Sequence, residues 1–192
     1  MKKMLLTALA LMTTTSVFAG RTALVDHTDK WNLFSRFDLI VTPIDEDAAL
    51  MGGLKVGGLL NDRLAFGLAA NTVLDTAKTE SPFLEDIENT DFWYGGFYTE
   101  YVFINPDNLV YASVDLTLGG GQLNVKRTAG GEDSSTLIAA EPGVNVMINI
   151  TETFMMGLGV HYRVISGVDS KDLDNSDLSG VSGTIFLRFT EY

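Results

Sequence analysis

The sequence predicts an all-β protein, an eight-stranded antiparallel up-and-down transmembrane β-barrel in a single folded domain. Three observations support this prediction. Eight segments alternate apolar and polar side chains with a period of two. Every Arg, Lys, His, Asp and Glu within them falls on the less apolar row, and the connections between them are alternately short and long. After residue 20, no stretch holds the roughly 18 consecutive apolar residues that a membrane helix requires.

The first residues have the composition of an export signal. A cationic start, Met1-Lys2-Lys3, precedes an apolar run over 4–12, and the small residue Ala19 stands before Gly20. This pattern predicts a cleavable secretory signal peptide. Its removal leaves 11 basic and 25 acidic residues, a formal charge of −14, which argues against nucleic acid as a partner. The predicted domains are the signal peptide over 1–19, a short periplasmic stub over 20–29 and the barrel over 30–192.

Each of the eight segments presents two rows of side chains, because successive residues of a strand point to opposite faces. The segments cover 31–41, 50–60, 64–71, 93–103, 110–118, 138–150, 156–164 and 181–189. In chain order their apolar rows include Phe37 and Leu39; Leu54 and Val56; Phe66 and Leu68; Phe97 and Tyr101; Val114 and Leu116; Val144 and Val146; Leu158 and Val160; and Ile185 and Leu187. The opposite rows hold the ionisable side chains, so one face of the sheet is free of charge.

The connections indicate which kind of sheet this is. The turns at 61–63, 105–108 and 151–153 are tight, those after the third, fifth and seventh segments are longer, and 42–48 is intermediate. Short periplasmic turns, longer extracellular loops and strands of roughly ten residues are typical of bacterial outer-membrane barrels. Aromatic residues on the apolar row, near the segment ends, match the interfacial girdles of such barrels. They are Trp31, Trp93, Tyr101, Phe103, Tyr162 and Phe189.

If the apolar row faces lipid, the opposite row lines the lumen. That row holds the cations Arg36, Lys55, Arg163 and Arg188, the anions Asp38, Glu100, Asp115 and Glu141, and His161 as a fifth candidate cation. An eight-stranded lumen is just wide enough to be filled by side chains, and isolated buried ions are costly. We therefore expect these nine residues to form a charge-paired network that plugs the lumen, which would not be a diffusion pore.

The last segment resembles a known assembly signal. Residues 179–189 close with Phe189, and Tyr192 follows. This stretch resembles the C-terminal strand by which bacterial outer-membrane proteins are handed to the barrel-assembly machinery, and Gly183, Phe189 and Tyr192 are the residues that would carry the signal. The stretches 94–121 and 141–189 also look like those of small, uncharacterised eight-stranded outer-membrane β-barrel proteins. The resemblance implies an outer-membrane location, with membrane lipids, lipopolysaccharide and the assembly machinery as partners.

The remaining negative charge lies in the predicted extracellular loops. Acidic residues cluster in 75–91, at 45–47 and over 169–177. Clustered carboxylates can bind Ca²⁺ or Mg²⁺ through oxygen ligands, so divalent cations are candidate partners there. Solvated acidic loops are the simpler interpretation. The sequence assigns no defined metal site, no cofactor and no catalytic residue.

The sequence favours a structural or surface-interaction barrel that acts through its acidic loops, and not an enzyme. Two alternatives stay open at this point. A secreted soluble lipocalin-like barrel would enclose an apolar ligand within its apolar row. A lipid-modifying outer-membrane enzyme would use His161 together with a serine and an acid, but Ser166, the nearest serine, falls on the opposite row.

Overall fold

The protein is an eight-stranded closed β-barrel. The computed structural model describes residues 30–44, 47–76, 87–103, 109–127, 132–168 and 175–191. The strands are β1 (Trp31–Ile44), β2 (Asp47–Leu60), β3 (Leu64–Thr76), β4 (Ile87–Phe103), β5 (Val110–Arg127), β6 (Glu132–Asn149), β7 (Phe154–Ser166) and β8 (Gly180–Glu191). Each strand pairs antiparallel with its neighbour in sequence, and β1 pairs with β8 to close the barrel. The predicted all-β up-and-down fold is confirmed.

The structure says nothing of the predicted signal peptide over 1–19 or of the stub over 20–29, because both lie outside the described residues. Among the described residues, no helix is long and apolar enough to cross a membrane.

The strands are longer than the sequence pattern predicted. They run from 12 residues in β8 to 18 in β5 and β6, against an expected length of about ten. The prediction of a long loop after the fifth segment is wrong, because β5 and β6 stay paired as far as Lys126 and Glu132. The hairpin ladder continues past the apolar part of the strands, so polar residues that were predicted to form a loop are strand.

The turn between β2 and β3 is built by residues that tolerate left-handed backbone. Asn61 and Asp62 have φ values of 52° and 59°, and the backbone N–H of Arg63 donates to the carbonyl oxygen of Leu60 at 3.0 Å. Two consecutive positive φ angles are typical of a type I′ hairpin, in which Asn and Asp are favoured. The turn also fixes the start of the barrel, since the Lys30 N–H donates to the Asn61 side chain at 3.0 Å.

The polarity of the barrel is the reverse of that of a soluble protein. Leu54, Val114 and Leu158 are 42%, 43% and 62% exposed, whereas Lys55 and Asp115 on the neighbouring positions are 4% and 7% exposed. The six aromatic residues expected in the girdles all point outward. The soluble lipocalin-like alternative is therefore wrong, because the interior of the barrel is not lined by the apolar row.

The two ends of the lumen differ in their connections. We call the end that carries 45–46, 77–86, 128–131 and 167–179 the long-loop end, and the end that carries 61–63, 104–109 and 150–153 the short-turn end. Buried apolar side chains fill the long-loop end. We call this cluster the apolar layer: Ile40, Ile44, Ala49, Met51, Phe92, Tyr94, Leu123, Leu137, Ala139, Ile165 and Leu178.

Candidate functional site in the barrel lumen

All nine residues predicted to form the lumen network lie inside the barrel. Arg36, Asp38, Lys55, Glu100, Asp115, Glu141, His161, Arg163 and Arg188 are each at most 7% exposed. Strand alternation places them there, because each shares its row with other inward residues of its own strand. Seven of them, all but Glu141 and Arg163, are joined by contacts among themselves, and we call these seven the central network.

Arg36 is the centre of that network. Its Nε donates to Asp38 Oδ1 at 2.7 Å, and its Nη1 lies 3.5 Å from Asp115 Oδ2 and 3.9 Å from Glu100 Oε1. The guanidinium group stacks 3.6 Å above the ring centroid of Phe186. One arginine thus contacts carboxylates from three strands, β1, β4 and β5, which is the kind of multiple pairing that a buried charge needs.

The other two cations of the central network, Lys55 and Arg188, contact the same three carboxylates. Lys55 Nζ lies 3.5 Å from Asp38 Oδ2 and 3.7 Å from Asp115 Oδ2. Arg188 Nη1 donates to Glu100 Oε2 at 2.6 Å. Three cations and three carboxylates therefore share one connected cluster, in which the formal charges cancel before His161 is counted.

Neutral side chains connect these ions further. Asn145 accepts from Arg36 Nη2 at 3.2 Å and donates to Ser113 Oγ and to Asp115 Oδ2, both at 3.2 Å. Ser113 donates to Glu100 Oε1 at 2.7 Å. Hydrogen bonds of this kind satisfy the lone pairs that ion pairing leaves over, and buried polar groups of this type are costly when they lack a partner.

His161 lies between a carboxylate and a hydroxyl. Its Nε2 is 3.2 to 3.3 Å from the carboxylate oxygens of Asp115, and its Nδ1 is 3.2 Å from Thr184 Oγ1. The tautomer that donates from Nε2 leaves Nδ1 to accept the Thr184 hydroxyl.

Thr184, His161 and Asp115 stand in the order nucleophile, base and acid that a hydrolase uses. Their position inside the lumen argues against a reaction with a membrane lipid. Thr184, His161 and Asp115 are all buried inside the lumen, whereas an acyl chain in a membrane would meet the outer face of the barrel. The hydroxyl is therefore out of reach of a lipid substrate.

Glu141 and Arg163 lie apart from the central network, nearer the long-loop end. Glu141 Oε2 accepts from the Tyr94 hydroxyl at 2.5 Å. Arg163 donates to the Leu178 carbonyl oxygen at 2.7 Å and to Thr42 Oγ1 at 3.1 Å, and no carboxylate of the described residues lies within 4.0 Å of it. The two residues are therefore not an ion pair with each other.

A local break in the sheet accompanies this pair. The ladder between β6 and β7 omits Glu141 and Pro142, although Ala140↔Val164 and Gly143↔His161 keep the same register on either side. Proline has no N–H to donate, which accounts for the gap.

Two inward glycines make room for the buried side chains. A Cβ on Gly143 would meet the His161 ring and Asp115, and a Cβ on Gly157 would meet the Phe186 ring. Any larger residue at these two positions would displace a member of the central network or the ring beneath Arg36.

Two of the three residues of the predicted assembly signal are described. Gly183 and Phe189 both lie on the outer face of β8, and the Phe189 ring packs against Phe154 with centroids 4.9 Å apart. Tyr192 lies outside the described residues.

The acidic loops are mostly outside the described residues, since 45–46, 77–86 and 169–174 are not described. Within the part of the chain that is described, no group of three or more His, Asp or Glu residues is placed to hold a metal ion. Divalent cations at the loops therefore stay a prediction.

Several residues of the site were not singled out from the sequence. Tyr98, Asn145 and Ser113 were recognisable as inward polar positions, but their specific contacts were not. Thr184 was likewise recognisable as an inward polar position. Phe186 follows Ile185 in an alternating strand, so alternation was the signal that could have placed it inside as well. Phe186 was easily overlooked because an apolar side chain does not stand out as a lumen residue.

Comparisons with known proteins identify the fold. No protein-family model matches the chain, and neither does any curated protein. Neisserial surface protein A is 15% identical with a TM-score of 0.61, over 85% of this chain and 99% of that one. The N-terminal β-barrel domain of Pseudomonas aeruginosa OprF is 12% identical with a TM-score of 0.55, over 84% and 99%. Ail of Yersinia pestis, in complex with the heparin analogue sucrose octasulfate, is 15% identical with a TM-score of 0.51, over 85% and 98%.

These three proteins are small eight-stranded outer-membrane β-barrels, and this chain shares their fold. At identities of 12% to 15%, the likeness concerns the fold and not the activity.

Proposed function

We propose that the protein is a β-barrel of the bacterial outer membrane with a lumen plugged by paired charges, and that it acts as a structural or surface-interaction protein through acidic extracellular loops. The proposal includes no enzymatic activity. The observation that carries it is the polarity of the barrel. Leu158 is 62% exposed on the outer face, while Arg163 on the inner face is 0% exposed.

An apolar outer face is suited to a lipid bilayer and not to water. Apolar surface in water costs about 25 cal/mol per Å², and large continuous apolar patches are rare on soluble monomers. The closed ladder from β1 to β8 leaves no unpaired edge, which is the condition for strands to cross a lipid bilayer.

The fold also suggests how the barrel would be oriented and delivered. A signal peptide over 1–19 would export the chain, and Gly183, Phe189 and Tyr192 would present it to the barrel-assembly machinery. The short-turn end would face the periplasm and the long-loop end the exterior, as is usual for barrels of this kind.

Cell fractionation tests the location. The folded protein should be found in the outer-membrane fraction, and its band on a gel should shift when the sample is boiled. Recovery as a soluble periplasmic protein without a heat-dependent shift would overturn the proposal.

A matched pair of variants tests which face meets lipid. Val114→Arg places a charge on the outer face of β5, and Val110→Arg places the same charge four residues nearer the short-turn end. A charge at the bilayer midplane costs about 2 to 4 kcal/mol, against about 0 to 1 near the interface. Val114→Arg should therefore reduce the folded fraction strongly and Val110→Arg only slightly, whereas equal effects would contradict a lipid-facing surface.

Conductance in planar bilayers tests the plugged lumen separately. The apolar layer at one end and the central network in the middle favour a barrel without steady conductance. Steady openings of nanosiemens scale would overturn the plugged lumen while leaving the membrane location intact.

The loop charge suggests the class of surface partner. Ail has been solved with a polyanion, but the acidic residues over 75–91 would repel such a ligand. Divalent cations that bridge loop carboxylates to lipopolysaccharide phosphates fit this charge better.

Binding to lipopolysaccharide vesicles tests this partner. Converting the acidic residues of 75–91 to amides should abolish Mg²⁺-dependent retention. The control converts Glu152 and Glu191, two carboxylates at the short-turn end, and should keep this retention. Retention by both variants would exclude the acidic segment 75–91 from this role.

A further inference from the structure

On one side of the barrel, β4, β5 and β6 continue together toward the long-loop end. β4 pairs with β5 from Ile87 onward, and β5 pairs with β6 as far as Lys126 and Glu132. The last pair between β3 and β4 is at Trp93, and the last pair between β6 and β7 is at Ile138. Beyond these two residues, the three strands pair only with one another within the described part of the chain.

The two faces of this three-stranded extension differ in polarity. Its inward side chains Phe92, Leu123 and Leu137 are buried in the apolar layer. Its outward side chains are polar except for one tryptophan, which is 45% exposed, and all of them are exposed or, for Asn124, partly exposed. We call the six outward residues the Trp93 face: Asp91, Trp93, Gln122, Asn124, Ser134 and Thr136.

The strand register places these six residues in two adjacent rows. One row holds Trp93, Gln122 and Thr136, and the other holds Asp91, Asn124 and Ser134. Neighbouring strands lie about 4.8 Å apart and alternate residues about 6.8 Å apart along a strand, so the six side chains form one compact patch. Within the described residues, the five polar side chains make no hydrogen bond or ion pair with one another or with the barrel. Their donors and acceptors are therefore accessible to a partner.

The composition of the Trp93 face suits an uncharged sugar. An exposed indole presents a flat apolar surface and one N–H donor, and the C–H face of a sugar ring can stack on such a surface. Amide and hydroxyl side chains both donate and accept, which matches sugar hydroxyls because these do the same. Asp91 is the one ionisable residue of the face, so the face offers no cation to a phosphate. It therefore favours a neutral saccharide over an anion.

The position of the face indicates the source of such a sugar. Trp93 lies between the polar rows and the lipid-facing rows, the level at which tryptophans meet lipid headgroups. The next row toward the short-turn end is the pair Gly95 and Gly120, and the row after it is the pair Phe97 and Leu118, of which Phe97 is 77% exposed. The two glycines leave a shallow depression that joins the face to the lipid-facing surface. A saccharide carried on acyl chains can occupy both, whereas a free saccharide can use only the face.

We propose that the Trp93 face binds the sugar rings of a lipid-anchored saccharide of the outer leaflet, which in this membrane is lipopolysaccharide. Trp93 stacks on a sugar ring, the polar side chains bind its hydroxyls, and an acyl chain lies over Gly95 and Gly120. This inference rests on the proposed outer-membrane location. It is independent of the divalent cations proposed at the acidic loops, because it uses contacts to neutral sugars.

The indole N–H resonances of the two tryptophans of the chain test the site within one molecule. The protein is placed in phosphatidylglycerol nanodiscs, and lipopolysaccharide is titrated in with EDTA present to remove divalent cations. The Trp93 resonance should shift and saturate. The Trp31 resonance, from the short-turn end, should not move, although the lipid enters both leaflets. The core saccharide freed of its lipid should give no saturable shift at the same concentration.

Variants of the face test the polar contacts. The double variant Gln122→Ala with Asn124→Ala should weaken the binding of lipopolysaccharide at least about tenfold, and Thr136→Ala about fivefold, as expected for net hydrogen bonds of about 1 kcal/mol each. The matched control is Thr99→Ala, which lies on the outer face of β4 but outside the Trp93 face and should leave the affinity unchanged. The heat-dependent gel shift verifies that each variant is folded.

The outcomes separate this inference from the proposed function. Failure of the protein to enter the nanodiscs would overturn both. If the protein enters them but the Trp93 resonance does not respond, or moves together with that of Trp31, the sugar site is overturned and the membrane location stands. Equal affinity for the free core saccharide would overturn the lipid-anchored ligand. An unchanged affinity of the folded double variant would overturn the polar contacts and with them the site.

Discussion

Arg163 and Arg188 lie at opposite ends of one lumen and are almost completely buried, yet they are satisfied in different ways. Arg163 donates to the Leu178 carbonyl oxygen and to Thr42, and its Nη1 lies 3.1 Å from Met51 Sδ. Arg188 donates to Glu100, and its Nε and Nη2 have no hydrogen-bond partner within the described part of the chain. It also lines a cavity of about 160 Å³ at the short-turn end. One arginine is held by neutral acceptors from a connection and the barrel wall, and the other by a carboxylate beside a cavity.

The connections at each end explain the difference. At the long-loop end, the connection 167–179 carries Leu178 into the lumen, where it is fully buried in the apolar layer. At the short-turn end, the turn at 61–63 has three residues, and its Asp62 accepts from Asn32 at 2.9 Å. The longer connection at 167–179 therefore supplies Arg163 with a neutral acceptor, the Leu178 carbonyl oxygen.

The largest effect should come from removing the charge at the short-turn end. Arg188→Met leaves Glu100 buried without its closest cation, which typically costs about 3 to 5 kcal/mol. Urea unfolding of the protein in lipid, followed by the heat-dependent gel shift, measures the loss. The double variant Arg188→Met with Glu100→Gln should lose less than the sum of the two single variants, because the pair is coupled. An additive result would show that the 2.6 Å contact contributes little.

A loss of side-chain volume should distinguish the packed end from the open one. Leu137→Ala in the apolar layer should cost about 3 kcal/mol, since a filled layer cannot collapse around the gap. Met147→Ala, at the wall of the cavity that Arg188 also lines, should cost less because water can enter the enlarged space. Unfolding in urea compares the two variants. Equal losses would mean that the two ends are packed alike.

Arg163→Met should cost less than Arg188→Met, about 2 kcal/mol, because it removes hydrogen bonds to neutral acceptors and exposes no unpaired carboxylate. The effect should be local. Amide exchange of Leu178 and Ser179 should accelerate, while exchange in β4 near Glu100 should not change. Faster exchange throughout the barrel would contradict a local role.

The smallest effect, and the one of opposite sign, should come from filling the cavity. Val102→Ile adds one methylene group to the apolar wall and should stabilise the barrel by about 0.8 kcal/mol. The matched change Val144→Ile lies on the outer face of β6 and should have almost no effect in lipid. A destabilising Val102→Ile would show that the cavity is too narrow for further volume.

The alternation of the sequence was sufficient to predict most of the fold and the side of the sheet on which the nine predicted lumen residues lie. All nine predicted lumen residues are inside, and Gly183 and Phe189 are outside, because side-chain direction in a strand is a local property. Strand ends were predicted less well. The hairpin of β5 and β6 continues beyond the apolar residues, and only cross-strand pairing decides where such a ladder ends.

The sequence by itself therefore determined which residues share a side of the sheet, whereas the structure decided that the apolar side faces outward. The tertiary structure alone decided the partners: that Arg36 meets three carboxylates, that Arg163 binds the Leu178 carbonyl and not Glu141, and that Arg188 borders a cavity. The physical reason is distance along the chain. The side of the sheet to which a side chain points depends on the residue and its immediate neighbours. Contacts across the lumen depend on the stagger of all eight strands and on the connections that close each end.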